Sequence, residues 1–270
     1  MQRVVANLFL IAIFLPMTAG TSFSQASSPP IHRDAHAVTV VQNALAYLNN
    51  NSGTQPANAV TIQDSTVQGT CVSQETDSTT PTTTSIAWTA QGAQFRYDTT
   101  VSGQVNSFRS GHGAPMVMSS DGNSPLSPYT ALASLPYHMP AQVLSSDLAN
   151  AQYAFFYRGV TNTSQGSADT VEVILFAGGA APMQLTRQVW KFLIGSGQPL
   201  EADYRIPGED VPTVQMAMTL SYTGFALSSS GSIFPTGFTI TSPIDTATCT
   251  VSSTAINTSP ASSVFDAEAQ

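Results

Sequence analysis

Between Thr213 and Thr223 the chain alternates without a slip. Val214, Met216, Met218, Leu220 and Tyr222 take one set of positions, and Gln215, Ala217, Thr219, Ser221 and Thr223 take the other. A strand turns successive side chains to opposite faces, so the pattern predicts one apolar and one hydroxyl-rich face. A helical period would scatter the same apolar groups around a cylinder. A wet second face implies an antiparallel sheet covered on one side only. The two methionines add adaptable surface to the covered face, suited to a packed helix or to a ligand. Ordinary core packing accounts for the same pattern, so the question is what lies against that face.

Upstream, Asp34 is placed to cap a helix whose stripe is Ala37, Val38, Val41, Ala44, Leu45 and Leu48, ending at Asn49-Asn50-Asn51-Ser52-Gly53. From there strand patterns dominate: 61–74, 84–90, 94–101, 104–110 and 114–119, with a polar insertion at 77–83 and turns at Gly92, Ser102-Gly103 and Asp121-Gly122. A non-strand interlude follows. It has a short helical pattern over 129–135 and a helix started by Pro140 and running to Leu148, with Val143, Leu144 and Leu148 as its buried side. Strands resume at 152–159, 170–176, 185–194, 199–206, 213–223, 232–241 and 246–257.

About eleven strands with short connections make a large meandering sheet, which must curl to bury its apolar face. The predicted class is mainly β (α+β), an incomplete antiparallel barrel or half-barrel with a helical plug or lid. No linker divides it, and no fixed repeat period runs through it.

Composition narrows the setting. Residues 1–26 have the make-up of a signal peptide: Arg3, an apolar run from Val4 to Leu15, and small residues at Ser24-Gln25-Ala26. Residues 27–33 then read as a flexible lead, 34–266 as a single domain and 267–270 as a tail. The apolar run is short for a bilayer-spanning helix, and no later stretch suits one. A formal net charge of −8 argues against nucleic acid or anionic membranes as partners. The expected location is exported, periplasmic or secreted. There Cys71 and Cys249 are expected to pair, tying an early strand to the last one.

The order of elements, with Phe95-Arg96-Tyr97 on an aromatic-centred strand, Asp121-Gly122 at a turn, Trp190 to Pro199 as a hairpin, Tyr222 to Pro235 and the ending Asn257 to Phe265, resembles the LolA/LolB-like superfamily. These are the outer-membrane lipoprotein-sorting carriers of the bacterial periplasm, and the chain is similar to a divergent member. The resemblance implies an incomplete barrel closed by helices around an apolar cavity for acyl chains. Sorting carriers place an arginine and then a proline just ahead of the aromatic strand. Gln91 and Gly92 stand there in this sequence, so the resemblance implies fold and cavity ahead of that cargo.

Chemistry-bearing patterns are sparse. His32 and His36 have metal-compatible spacing around Asp34, but no glutamate or downstream ligand completes a zinc site. His112 lies in a glycine turn, and His138 precedes a helix. No Gly-x-Ser-x-Gly elbow occurs, and Glu209, Asp210 and Asp203 lie in loop-like surroundings. No catalytic residue, cofactor or metal is expected. The expected function is a non-enzymatic carrier or sensor of a hydrophobic small molecule or lipid, with an envelope protein as a further partner. Val214, Met216, Met218, Leu220, Tyr222, Trp190 and Phe192 line its cavity. The leading helix acts as lid, and Lys191 (the only lysine) and Arg96 sit at the rim. The alternatives are a structural or surface-recognition module with a filled core, and behind it a hydrolase.

Overall fold

The computed structural model describes residues 31–50, 62–92, 94–110, 117–119, 135, 138–176, 180–207, 215–228 and 231–266. The predicted signal peptide, the helical pattern at 129–134, His112, Asp121-Gly122, Glu209, Asp210 and Val214 lie outside them.

Asp34 caps α1 (Ala35–Leu48) by accepting from the backbone N–H groups of His36 and Ala37, as its position predicts. Ala37, Val41, Ala44 and Leu48 are buried, with Val40 beside them, so the stripe faces the sheet. His32 and Arg33, at the end of the predicted flexible lead, are held in place. Arg33 forms a parallel bridge with Phe155, and its guanidinium donates to the carbonyls of Leu148 and Asn150.

Twelve strands follow: β1 (Asp64–Glu75), β2 (Thr82–Gln91), β3 (Gln94–Val101), β4 (Gln104–Ser110), β5 (Val117–Ser119), β6 (Tyr153–Thr163), β7 (Gly166–Leu175), β8 (Gln188–Leu193), β9 (Pro199–Pro207), β10 (Gln215–Leu227), β11 (Ile233–Thr241) and β12 (Asp245–Ile256). They form a single sheet in the order β5-β4-β3-β2-β1-β12-β11-β10-β9-β8-β7-β6, antiparallel throughout. Among the described residues β5 and β6 are the two edge strands, β6 carrying only the short bridge to Arg33, so the barrel is incomplete, as predicted.

The chain thus lays down β1 to β5 outward from the middle, jumps to the far edge, and returns from β6 to β12. β12 closes against β1. Cys71 stands opposite Cys249 in that pairing, and the two form a disulfide. A bulge at Gly69 accompanies the seam, where a β-carbon would lie 2.4 Å from the Thr250 carbonyl oxygen, so glycine is required.

β5 and β6 are opposite edges, and the described part of the connection between them is buried against the core of the sheet. It carries α2 (Pro140–Ala149), started by Pro140 as expected, and α2 packs against α1. A further short helix, α3 (Ala180–Leu185), falls between the ranges predicted as strands 170–176 and 185–194 and shares only Leu185 with the second. After β12, Asn257 takes a left-handed conformation, with φ 52°, and its side chain accepts from the Gln63 N–H. The tail is then tied to Asp64 through Thr258 and Ser259, and Phe265 is fully buried.

Candidate functional site

The inner face of the sheet is built by strand parity. Val67 and Cys71 of β1, Ile86 and Trp88 of β2, Val171 and Val173 of β7, Trp190 and Phe192 of β8, Leu220 and Tyr222 of β10 and Phe238 of β11 belong to one buried cluster with α1 and α2. Trp190 stacks on Phe192 at 5.8 Å and lies nearly parallel to Tyr222 at 6.4 Å. Of the predicted lining residues, Leu220, Tyr222, Trp190 and Phe192 are therefore brought together. Met218 is half-buried against them, and Met216 is half-buried near the end of β10.

What covers the anchor residues is α2. Met139 and Pro140 meet Leu220, Tyr222, Trp88, Val67 and Phe238 around a residual hollow of about 20 Å³, room for one water. α1, the helix expected as lid, lies over β6, β7 and β11, and its Tyr47 meets Phe225 of β10 edge-on at 5.9 Å, so α1 and α2 both cover the sheet. A larger cleft of about 530 Å³ opens elsewhere. Val40, Asn43 and Tyr47 of α1 form one side of it, and Phe192 and the 194–197 turn form the other. Phe192 is the only predicted lining residue on its wall.

The docking of α2 is partly polar. Asp147 is buried and accepts from the Gln188 side-chain amide at 3.1 Å, while the Gln188 carbonyl accepts from the Trp190 indole at 2.7 Å. Burial pushes the Asp147 carboxyl up to about 7, offset in part by hydrogen bonds from Tyr153 and Gln188. Tyr153 is itself pushed up, by burial first and by the neighbouring carboxylate second. At the other end, Gln142 accepts from the Ser65 hydroxyl at 2.7 Å and from the Met139 N–H at 3.1 Å. Sequence reading missed Asp147, Gln142, Gln188 and Ser65. A signal existed for Asp147: it lies three residues after Leu144, on the stripe that also holds Val143 and Leu148.

The expected rim residues lie on the other face. Lys191 alternates with Trp190 and Phe192, so it points outward, where it pairs with Glu201. Arg96 sits between Phe95 and Tyr97 and pairs with Asp98 at 2.8 Å. Arg109, opposite it on β4, donates to the Asp266 carbonyl. Lys191 and Arg96 are thus outer-face groups bound in ion pairs, because parity sends neighbours of inward aromatics outward.

The described histidines are held by ring contacts. His32 stacks on Phe156 at 4.9 Å, His36 meets Tyr157 edge-on at 4.2 Å, and His138 contacts Phe95 while its Nε2 lies 3.2 Å from the Gly92 carbonyl. Among the described residues, no group of three His, Cys, Asp or Glu side chains could hold a metal ion. No helix among them is long and apolar enough to cross a membrane.

No protein-family model and no curated protein matches the sequence. Solved structures do match the fold. A LolA superfamily protein from Nitrosomonas europaea superposes with a TM-score of 0.54 at 12% identity, covering 85% of this chain and 97% of that one. A DUF1329 family protein from Desulfovibrio piger gives 0.53 at 13% identity, covering 85% and 97%. The chain shares the fold of these two proteins at low sequence identity.

Proposed function

We propose that this chain, built on the LolA-superfamily fold, is an exported, non-enzymatic carrier or sensor that receives an apolar ligand on the inner face now covered by α2. The observation that carries the reading is how α2 is docked. Met139 and Pro140 cap the hollow as an acyl chain would, yet the helix is held at both ends by buried polar tethers, Gln142 to Ser65 and Asp147 to Gln188. Buried polar contacts return little net stability against the desolvation they require, so these tethers fix where α2 docks without adding much to how strongly it is held. Release would expose Val67, Trp88, Leu220, Tyr222 and Phe238 to a ligand, bound by apolar burial at about 25 cal/mol per Å².

The similarity to a LolA superfamily protein supports an apolar, acyl-bearing cargo, and the Cys71–Cys249 disulfide suits an oxidising compartment. Residues 1–26 then serve as the export signal. A mature N-terminus mapped just after Ala26 on protein recovered outside the cytoplasm is the expected result.

The alternative reading is a recognition module with a permanently filled core. The hollow of about 20 Å³ favours it, since it has room for one water and not for an acyl chain. One experiment separates the two: native mass spectrometry of protein taken from its source membranes, together with uptake of a fluorescent fatty acid. Copurified lipid or saturable uptake supports the carrier. Neither, in a correctly folded sample, leaves the filled module.

A further inference from the structure

Trp88 carries a hydrogen-bond donor that the closed structure leaves unused. Its side chain is 5% exposed, it lines the hollow beneath α2, and its indole Nε1 has no acceptor. Trp190, the other tryptophan, satisfies its indole fully through Gln188. Leaving a buried N–H unpaired is costly, which makes it a rare feature of a finished core. The polar groups around it do not serve it: His138 is engaged with the Gly92 carbonyl, and Tyr222, on the same wall, does not accept from it. The remaining wall is apolar: Val67, Leu220, Pro235, Phe238 and Val251. A site with one unmatched donor in an oily surround has the make-up of a pocket for a mostly hydrocarbon ligand bearing one acceptor.

We propose that Trp88 is the specificity-determining residue of the α2-covered face, selecting ligands whose acyl chain ends in a carbonyl or ester oxygen over plain hydrocarbons. The assignment rests on the carrier reading above and adds to it a polar criterion for cargo. A ligand carbonyl entering as α2 leaves would accept from Nε1 and relieve the orphaned donor, whereas an alkane of equal length would bury the same area and leave the donor unpaired.

The test is displacement of a bound fluorescent fatty acid by methyl palmitate and by octadecane, chains of matched length, on wild type and on Trp88→Phe. For wild type the expected result is an ester preference of about tenfold, the scale of one hydrogen bond made against one lost. Trp88→Phe keeps an aromatic ring against Phe238, which Trp88 meets edge-on at 6.0 Å. It should abolish the preference, read as the ratio of ester to octadecane displacement within the variant, with the smaller ring lowering affinity for both probes alike. Equal binding of the two probes by wild type overturns the assignment and leaves the carrier reading standing. A water that stays on the indole beside either bound probe would give that same flat result, since it serves the donor in both complexes. A preference that survives in Trp88→Phe also overturns the assignment. Displacement by neither probe removes the carrier reading and this assignment together.

Discussion

Asp147→Asn probes the least ordinary contact of α2. The carboxyl is held at about 7 against a reference of 3.8 because it is buried. A folded-state value above the unfolded one means that the fold binds more protons than the unfolded chain. Its contribution to stability is therefore complete in acid, falls as pH rises from about 4 towards 7, and levels off above that. A shift of roughly three units corresponds to about 4 kcal/mol at the plateau, an upper figure that assumes no relaxation of α2. Between about pH 5 and about pH 8, the wild type should lose roughly 2 to 3 kcal/mol through this group alone. Asparagine keeps the shape and still accepts from Gln188, and the Tyr153 hydroxyl can turn to accept from the new amide. The variant lacks the titration, so urea denaturation at a series of pH values should show its advantage over wild type widening as pH rises. A gap that stays constant across the range would refute the reasoning, because it would mean that Asp147 is hydrated or that α2 is not docked.

Other expectations follow from the same geometry. Replacing both Cys71 and Cys249 with alanine releases a closure spanning 178 positions, and should cost up to about 5 kcal/mol by chain entropy, read as a lower thermal midpoint that reductant no longer shifts. Leu144→Ala removes a fully buried side chain of α2 and should cost about 2 to 5 kcal/mol in denaturant unfolding. Gly197→Ala places a β-carbon 2.7 Å from the Asn43 carbonyl oxygen at φ +76°, and should destabilise by more than about 1 kcal/mol, with faster hydrogen exchange in α1.

Much of the scaffold was legible because alternation along a half-buried strand is a strong signal. The ranges 94–101 and 104–110 coincide with β3 and β4, and Asp34 and Pro140 mark the helix starts they occupy. Less was legible where burial stops imposing a pattern. β6 continues beyond Gly159 to Thr163 through exposed residues that show no inward set. α3 is a short helix in a stretch whose apolar residues suit either state. The candidate site was half-visible. Parity alone brings Trp190, Phe192, Leu220 and Tyr222 to one face, and the same parity, applied to Lys191 and Arg96, sends them to the other. The identity of the covering helix depends on β5 and β6 being opposite edges, a fact of global strand order that local periodicity does not carry. The unmatched indole of Trp88 is likewise a property of its surroundings.

The seam between β1 and β12 has a consequence for how the molecule tolerates damage. Apart from that seam, each strand pairs with strands adjacent to it in the chain, so the crossing segment is the sole covalent route between two locally built halves other than the sulfur bond. A protease that nicks the crossing segment would leave both fragments joined through Cys71 and Cys249 and registered along a full ladder. The cover could be severed while the platform beneath it endures, and in a reducing medium the same cut would let the halves drift apart.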